Sequence, residues 1–367
     1  MAEPRVGFAL LLAAAVALPA AAQAPANYPA PVEGDYLARN FAFGTGDTLP
    51  ELRLHYTTLG TPARDANGRV TNAVLITHGT GGSGRGFLSP NFAGQLFGPG
   101  QLLDATKYFI ILPDGIGHAK SSKPSDGLHL KFPQYTYDDM VKAQYLLVTE
   151  GLRVNHLRLV MGTSMGAMHT WVWGYSYPDF MDALMPLASN PVEIAGRNRM
   201  MRQMIVDAIT NDPGWNQGEY TTQPKGLVAA AQILMLMTSV PLQWQKELPT
   251  RAMADSALHA RLARSLRTLD ANDMLYAYQA SRDYNPSPHL ERIKAPLYAI
   301  NSADDQVNPP ELGILDREIK RVARGRYILI PISEQTRGHG THSLPAIWGS
   351  YLAELLAASQ PASRAAP

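Results

Sequence analysis

The segment from Leu157 to Tyr177 leaves the chain little choice of path. Leu157 to Met161 reads as a short strand and Met165 to Tyr177 as a helix, with only Gly162-Thr163-Ser164 between them. A strand that becomes a helix in so few residues turns sharply, and the residue at the apex is held in a strained backbone conformation. Both flanking positions must therefore lack bulk, and Gly162 and Gly166 meet that need. Gly162 to Gly166 spells G-x-S-x-G, the pattern of a nucleophile elbow, which makes Ser164 the candidate nucleophile. So short a pattern also arises by accident, so its weight rests on its surroundings.

Those surroundings alternate strand and helix, as a mostly parallel sheet flanked by helices requires. Ala73 to Thr77, Tyr108 to Leu112, Leu157 to Met161, Leu184 to Ala188, Pro296 to Ile300 and Tyr327 to Pro331 are the expected strands. Tyr137 to Glu150, Met165 to Tyr177 and Pro310 to Ala323 are the expected helices between them. Leu52 to Thr58 alternates polar and apolar residues and reads as an antiparallel edge strand. From Glu193 to Asp283 the strand signal disappears, and a methionine-rich, helical pattern takes over at Arg199 to Thr210, Gly226 to Ser239 and Arg251 to Ser281. The expected organisation is an α/β core from residues 25–192 and 284–357, with residues 193–283 inserted as a helical cap. Residues 358–367 are small and polar and read as a disordered tail.

With 367 residues, 46% of them hydrophobic and 17% charged, the chain can bury a large core. A formal net charge of +1 and the lack of any long block of like charge argue against a nucleic-acid partner. There are no cysteines, so disulfides, a thiol nucleophile and cysteine-ligated metal are excluded. At the start of the chain, Arg5 precedes the apolar run Val6 to Leu18, and A-x-A sites end at Ala22 and Ala24. That is the pattern of a secretory signal peptide over residues 1–24. The run is shorter than the roughly 20 residues a membrane span needs, so a periplasmic or secreted protein without stable membrane insertion is expected.

A serine nucleophile needs a base and an acid, which around such an elbow follow in the chain order Ser, Asp, His. After the strand ending at Ile300 comes Ser302-Ala303-Asp304-Asp305, and Pro309 and Pro310 can begin a helix behind it. Asp305 is the candidate acid; a turn or capping role suits Asp304 better. After the last strand comes Arg337-Gly338-His339-Gly340-Thr341-His342. His339, between two glycines in a loop free to approach the elbow, is the candidate base, and His342 lies at or inside the start of the following helix. A surface position is the plain alternative for either histidine.

Two backbone N–H groups must face the developing oxyanion. Met165, directly after the nucleophile, supplies one, and Thr80, in the loop His78-Gly79-Thr80-Gly81-Gly82, is the candidate for the other. That loop lacks the lysine and hydroxyl of a phosphate-binding loop, and His78 reads as shaping it. His118, His129, His169, His259 and His289 have no partner at ligand spacing, so no metal is expected, and no cofactor is assigned.

The chain resembles the α/β-hydrolase superfamily and, within it, the homoserine O-acetyltransferase family. The resembling segments include Gly46 to Leu52, Tyr56 to Thr61, Asn72 to His78, Phe132 to Val141 with Gln144, and Gly162 to Met168 with Trp173 and Pro178. They continue through Ala208-Ile209, Asp212 to Trp215, Gly218 to Tyr220, Gly226-Leu227 and Asp305 to Glu311. The resemblance implies the family's fold, a helical cap over a tunnel, and Ser164, Asp305 and His339 as a catalytic triad.

Two departures bear on substrate. Where the family carries a tunnel arginine that holds the amino acid, this chain has Val206, with Arg202 one helical turn earlier. Where the family has an aspartate directly after its histidine, this chain has Gly340. A site that loses its polar anchors loses the preference they conferred. The expected activity is hydrolysis of a small-molecule ester or related acyl compound through an acyl-serine. An acyltransferase using an acyl-CoA donor is the first alternative, and a non-catalytic protein that binds a ligand in the tunnel is the second.

Overall fold

The computed structural model describes residues 27–360. The proposed leader, residues 1–24, lies outside the described residues. The sheet consists of β1 (Val32–Ala42), β2 (Thr48–Leu59), β3 (Ala73–Thr77), β4 (Phe109–Pro113), β5 (Leu159–Thr163), β6 (Leu184–Leu187), β7 (Leu297–Ser302) and β8 (Gly325–Ile330). Their order is β1-β2-β4-β3-β5-β6-β7-β8. The β1–β2 and β2–β4 pairs are antiparallel and the remaining pairs parallel. The α-helices are α1 (Ala93–Leu96), α2 (Tyr137–Leu146), α3 (Met165–Ser176), α4 (Gly196–Thr210), α5 (Gly226–Met237), α6 (Pro241–Glu247), α7 (Arg251–Ser265), α8 (Ala271–Gln279), α9 (Ile314–Glu318) and α10 (Pro345–Ala358).

The central strands β3 to β6 are buried at every position, and apolar except for Thr77 and Thr163 at the ends of β3 and β5, because both faces of the sheet are covered. In β3, Ala73 and Leu75 enter the cluster that contains Val141, Met168 and Trp171 from α2 and α3. Val74 and Ile76 enter the opposite cluster, with Leu96, Trp348 and Leu352 from α1 and α10. Each fully buried Val, Leu or Ile stabilises the fold by about 2 kcal/mol relative to exposure, which is why these short runs hold their register.

Between β6 and β7 the described residues form five α-helices, α4 to α8, with short 3-10 turns among them and no strand. They have a core of their own, in which Ile205, Ile209, Leu227, Ala230, Met274 and Leu275 pack together.

Several expectations need correction. Leu52 to Thr58 lies within β2, which is antiparallel but is not the edge, because β1 pairs along its outer side. β1 has no run of buried apolar residues, only Ala38 and Phe41 being fully covered. Arg251 to Ser281 is two helices, broken at Asp270, whose carboxylate accepts from the Asn272 and Asp273 N–H groups and caps α8. Pro310 to Ala323 is likewise broken, at Gly313 with φ +61°. The start of the expected tail is ordered: α10 includes Ala358, and Ser359 is buried, its hydroxyl accepting from Arg158 Nη1 at 2.8 Å. Residues 361–367 lie outside the described residues.

Candidate active site

Ser164 stands between β5 and α3 with φ 54° and ψ −113°. A non-glycine residue persists in so sparsely populated a conformation only where its surroundings fix it. Its N–H donates to the Leu187 carbonyl of β6 at 2.9 Å, and its own carbonyl accepts from the Met168 N–H at 3.0 Å. The flanking glycines pack against backbone. A Cβ on Gly166 would stand 2.0 Å from the Thr77 carbonyl oxygen, and one on Gly162 2.2 Å from the Gly166 carbonyl oxygen. Gly166→Ala is therefore expected to destabilise the protein by about 3 kcal/mol, since no side-chain rotation relieves the clash. An unchanged urea midpoint would refute this.

The structure brings Ser164, His339 and Asp305 into one hydrogen-bonded chain. Ser164 Oγ lies 2.8 Å from His339 Nε2, and His339 Nδ1 lies 3.0 Å from Asp305 Oδ2 and 3.1 Å from Oδ1. Asp305 is fully buried. Its Oδ1 accepts from the Val307 N–H at 2.7 Å and the Asn308 N–H at 3.2 Å, and its Oδ2 from Asn308 Nδ2 at 3.3 Å. Burial by itself would raise the Asp305 carboxyl, but the charge and hydrogen bond of His339, with the two backbone donors, hold it below its ordinary value. With the carboxylate accepting at Nδ1, the His339 proton sits on Nδ1 and Nε2 presents a lone pair to Ser164.

Asn308 escaped the reading of the sequence. Its amide bridges Asp305 to the Ala188 carbonyl, at 3.0 Å, and so fixes the acid against the end of β6. An asparagine before two prolines, three residues after the acid, was the available signal. Asp304 lies in the turn after β7, where it is buried and bonded to the Ser302 hydroxyl and, at 3.0 Å, to that of Thr336.

A cavity of about 480 Å³ covers Ser164 and His339, and Thr80, Arg202, Tyr278 and His342 are among its walls. Thr80 lines it from the loop after β3, and Met165 opens α3 directly behind Ser164, at the positive end of the helix dipole. Among the described residues, neither the Thr80 nor the Met165 N–H donates to a protein acceptor. His342 precedes α10 and does not lie within it, and its ring stands edge-on to that of His339 at 5.2 Å. Burial, reinforced by the charge of His339, pushes it down to about 3.

His78 donates from Nδ1 to the Gly79 carbonyl at 2.8 Å and accepts at Nε2 from the Gly115 N–H at 2.9 Å, tying the Thr80 loop to the loop after β4. Burial pushes His78 down to about 4 and its neighbour His118 to about 3.

Arg202 is buried in the cavity wall. It donates to Asn198 Oδ1 at 2.9 Å and Ser281 Oγ at 3.0 Å, its guanidinium is 5.5 Å from the Tyr278 ring centre, and among the described residues no carboxylate pairs with it. Val206 packs instead on the apolar cluster of the inserted helices.

Residues 72–324 match the family model described as alpha/beta hydrolase fold. The chain belongs to the α/β-hydrolase family, in its homoserine O-acetyltransferase-like branch. It is 31% identical over 285 residues to a homoserine O-acetyltransferase of Haemophilus influenzae, covering 70% of this chain and 77% of that one. It is 28% identical over 289 residues to a probable acyltransferase of Methanothermobacter thermautotrophicus, covering 78% and 85%. An acetylester hydrolase from Corynebacterium glutamicum has the same fold, with a TM-score of 0.77 at 22% identity over 89% of this chain and 96% of that one. The chain is thus an enzyme of the serine hydrolase or related acyltransferase type.

Proposed function

We propose that this enzyme is an exported serine hydrolase that cleaves an ester or related acyl substrate. The observation that carries the proposal is the unbroken hydrogen-bonded chain from Ser164 Oγ through His339 to the buried Asp305. Ser164 Oγ attacks the carbonyl carbon as His339 Nε2 takes its proton, and Asp305 orients the imidazole and stabilises its cation. The Met165 and Thr80 N–H groups stabilise the tetrahedral oxyanion. His339 then gives the proton to the departing alcohol, and water, deprotonated by the same nitrogen, releases the acid and restores Ser164. The leader-like sequence over residues 1–24 supports export, which amino-terminal sequencing of the protein from periplasmic and culture fractions tests.

Intact-mass measurement after treatment with a fluorophosphonate is expected to show one adduct on the wild type and none on Ser164→Ala. An unmodified wild-type protein would sink the proposal. A second reading, transfer of the acyl group to an alcohol or amine, is favoured by the homoserine O-acetyltransferase relative. Thiol release from acetyl-CoA that depends on added homoserine would decide for it, and acid release from simple esters in water decides for hydrolysis.

A further inference from the structure

The space under the inserted helices is not one chamber. A second cavity, of about 460 Å³, shares Thr80, Gly82, Ser83, Gly86, Leu234 and Tyr278 with the cavity over Ser164. The shared residues come from both the sheet side and the helical side, so the two spaces meet beside the Thr80 loop. The second is floored by residues with little or no side chain, Gly81, Gly117 and Ala119 among them, and a Cβ on Gly81 would meet no atom within 4 Å. Leu269, Met274 and Ala277 form its apolar roof.

Its charged residues already have partners. Lys123 Nζ is 3.6 Å from Asp273 Oδ2, and Asp273 also accepts from the Ser125 N–H and hydroxyl at 2.9 and 2.6 Å. Asp270 accepts from the Tyr220 hydroxyl, the Gln223 amide and the first N–H groups of α8. Nothing there asks for an ionic ligand. The cavity over Ser164 differs, with Arg202 and Arg337 in its wall.

Resting on the Ser164 reading above, the chemistry assigns each arm a portion of the substrate. When the C–O bond of the ester breaks, the departing oxygen takes its proton from His339 Nε2, so the alcohol lies on the side of His339, Gly340 and Ser343. The carbonyl oxygen faces the Thr80 and Met165 N–H groups. The remaining substituent of the tetrahedral carbon, the acyl chain, runs past Thr80. We propose that the second cavity is an acyl-chain site and that the preferred substrates are esters of unbranched medium-chain acids, above acetyl esters.

The test measures kcat/KM of the full chain on p-nitrophenyl acetate, butanoate, hexanoate, octanoate and decanoate. A buried methylene is worth about fourfold, or about 0.8 kcal/mol, so hexanoate or octanoate is expected to exceed acetate by at least about tenfold. Ala277→Phe fills the second arm and is expected to lower that ratio by about tenfold. Met274→Trp narrows the same arm and replaces it if Ala277→Phe loses its cooperative melt. A wild type that prefers acetate, or a ratio unmoved by a folded variant, overturns the proposal. A fluorophosphonate adduct on Ser164 together with a flat chain-length profile sinks the acyl site alone. No adduct and no ester turnover sink the Ser164 reading, and the acyl site with it.

Discussion

Asp305→Asn is expected to lower kcat by about ten-thousandfold, with the fold retained and KM little changed. The reason lies in how the carboxylate is used. Its Oδ1 accepts the Val307 and Asn308 N–H groups, and an asparagine keeps those bonds by placing its carbonyl oxygen there. The amide NH₂ then faces His339 Nδ1, which must become an acceptor and move its proton to Nε2. That nitrogen, 2.8 Å from Ser164 Oγ, can then no longer take the serine proton. Steady-state kinetics beside a thermal melt check the prediction. A loss smaller than about tenfold, with the melt unchanged, would show that Asp305 does not set the imidazole tautomer.

Acid is expected to weaken this fold before its ordinary carboxylates titrate. His78 and His118 are buried, and burial holds them at about 4 and about 3, against 6.5 for an unperturbed histidine. Below pH 6.5 the unfolded chain takes up protons that these folded histidines refuse, so stability falls as pH falls and keeps falling until the folded values are reached. Each contributes a slope of about 1.4 kcal/mol per pH unit across that window. The half-buried His342 shifts in the same direction. Asp305, whose folded value is lowered, acts only further down: its contribution is present above the ordinary carboxylate value and is lost below it. Urea unfolding from pH 7.5 down to pH 5 reads the slope directly. A flat dependence would show that these histidines protonate in the folded state.

The parts of the fold that were legible in the sequence are those in which one physical demand acts alone. β3 to β7 are covered on both faces, so each is built on a short apolar run, and glycine on either side of Ser164 is imposed by contacts near 2 Å that no side chain survives. β1 was illegible because it earns its place through backbone pairing with β2 along its whole length, and most of its side chains stay in solvent. Asp305 and His339 could be found by chain order and by the chemistry of their side chains. Asn308 was missed despite the two prolines behind it, since its partner, the Ala188 carbonyl, is distant in sequence, and Arg202 was marked by its place one turn before Val206 without its distant partner, the Ser281 hydroxyl. The break at Asp270 went unread because the helical pattern continues past it, and only the capping bonds show that a second helix begins there.

The helices between β6 and β7 leave the sheet after Ser164 has been placed and return before Asp305 and His339 are reached. Arg202, Leu234 and Tyr278, which wall the space over Ser164, belong to that excursion, whereas Thr80, Ser164 and His339 belong to the sheet and its loops. The excursion also has a core of its own. Reactivity and selectivity are therefore inherited from different stretches of the chain. Exchange within residues 196–279 is expected to change the substrate range without rebuilding the elbow only where Tyr276 is kept, because it packs in the core of the sheet and its hydroxyl donates to the Phe132 carbonyl at 2.7 Å.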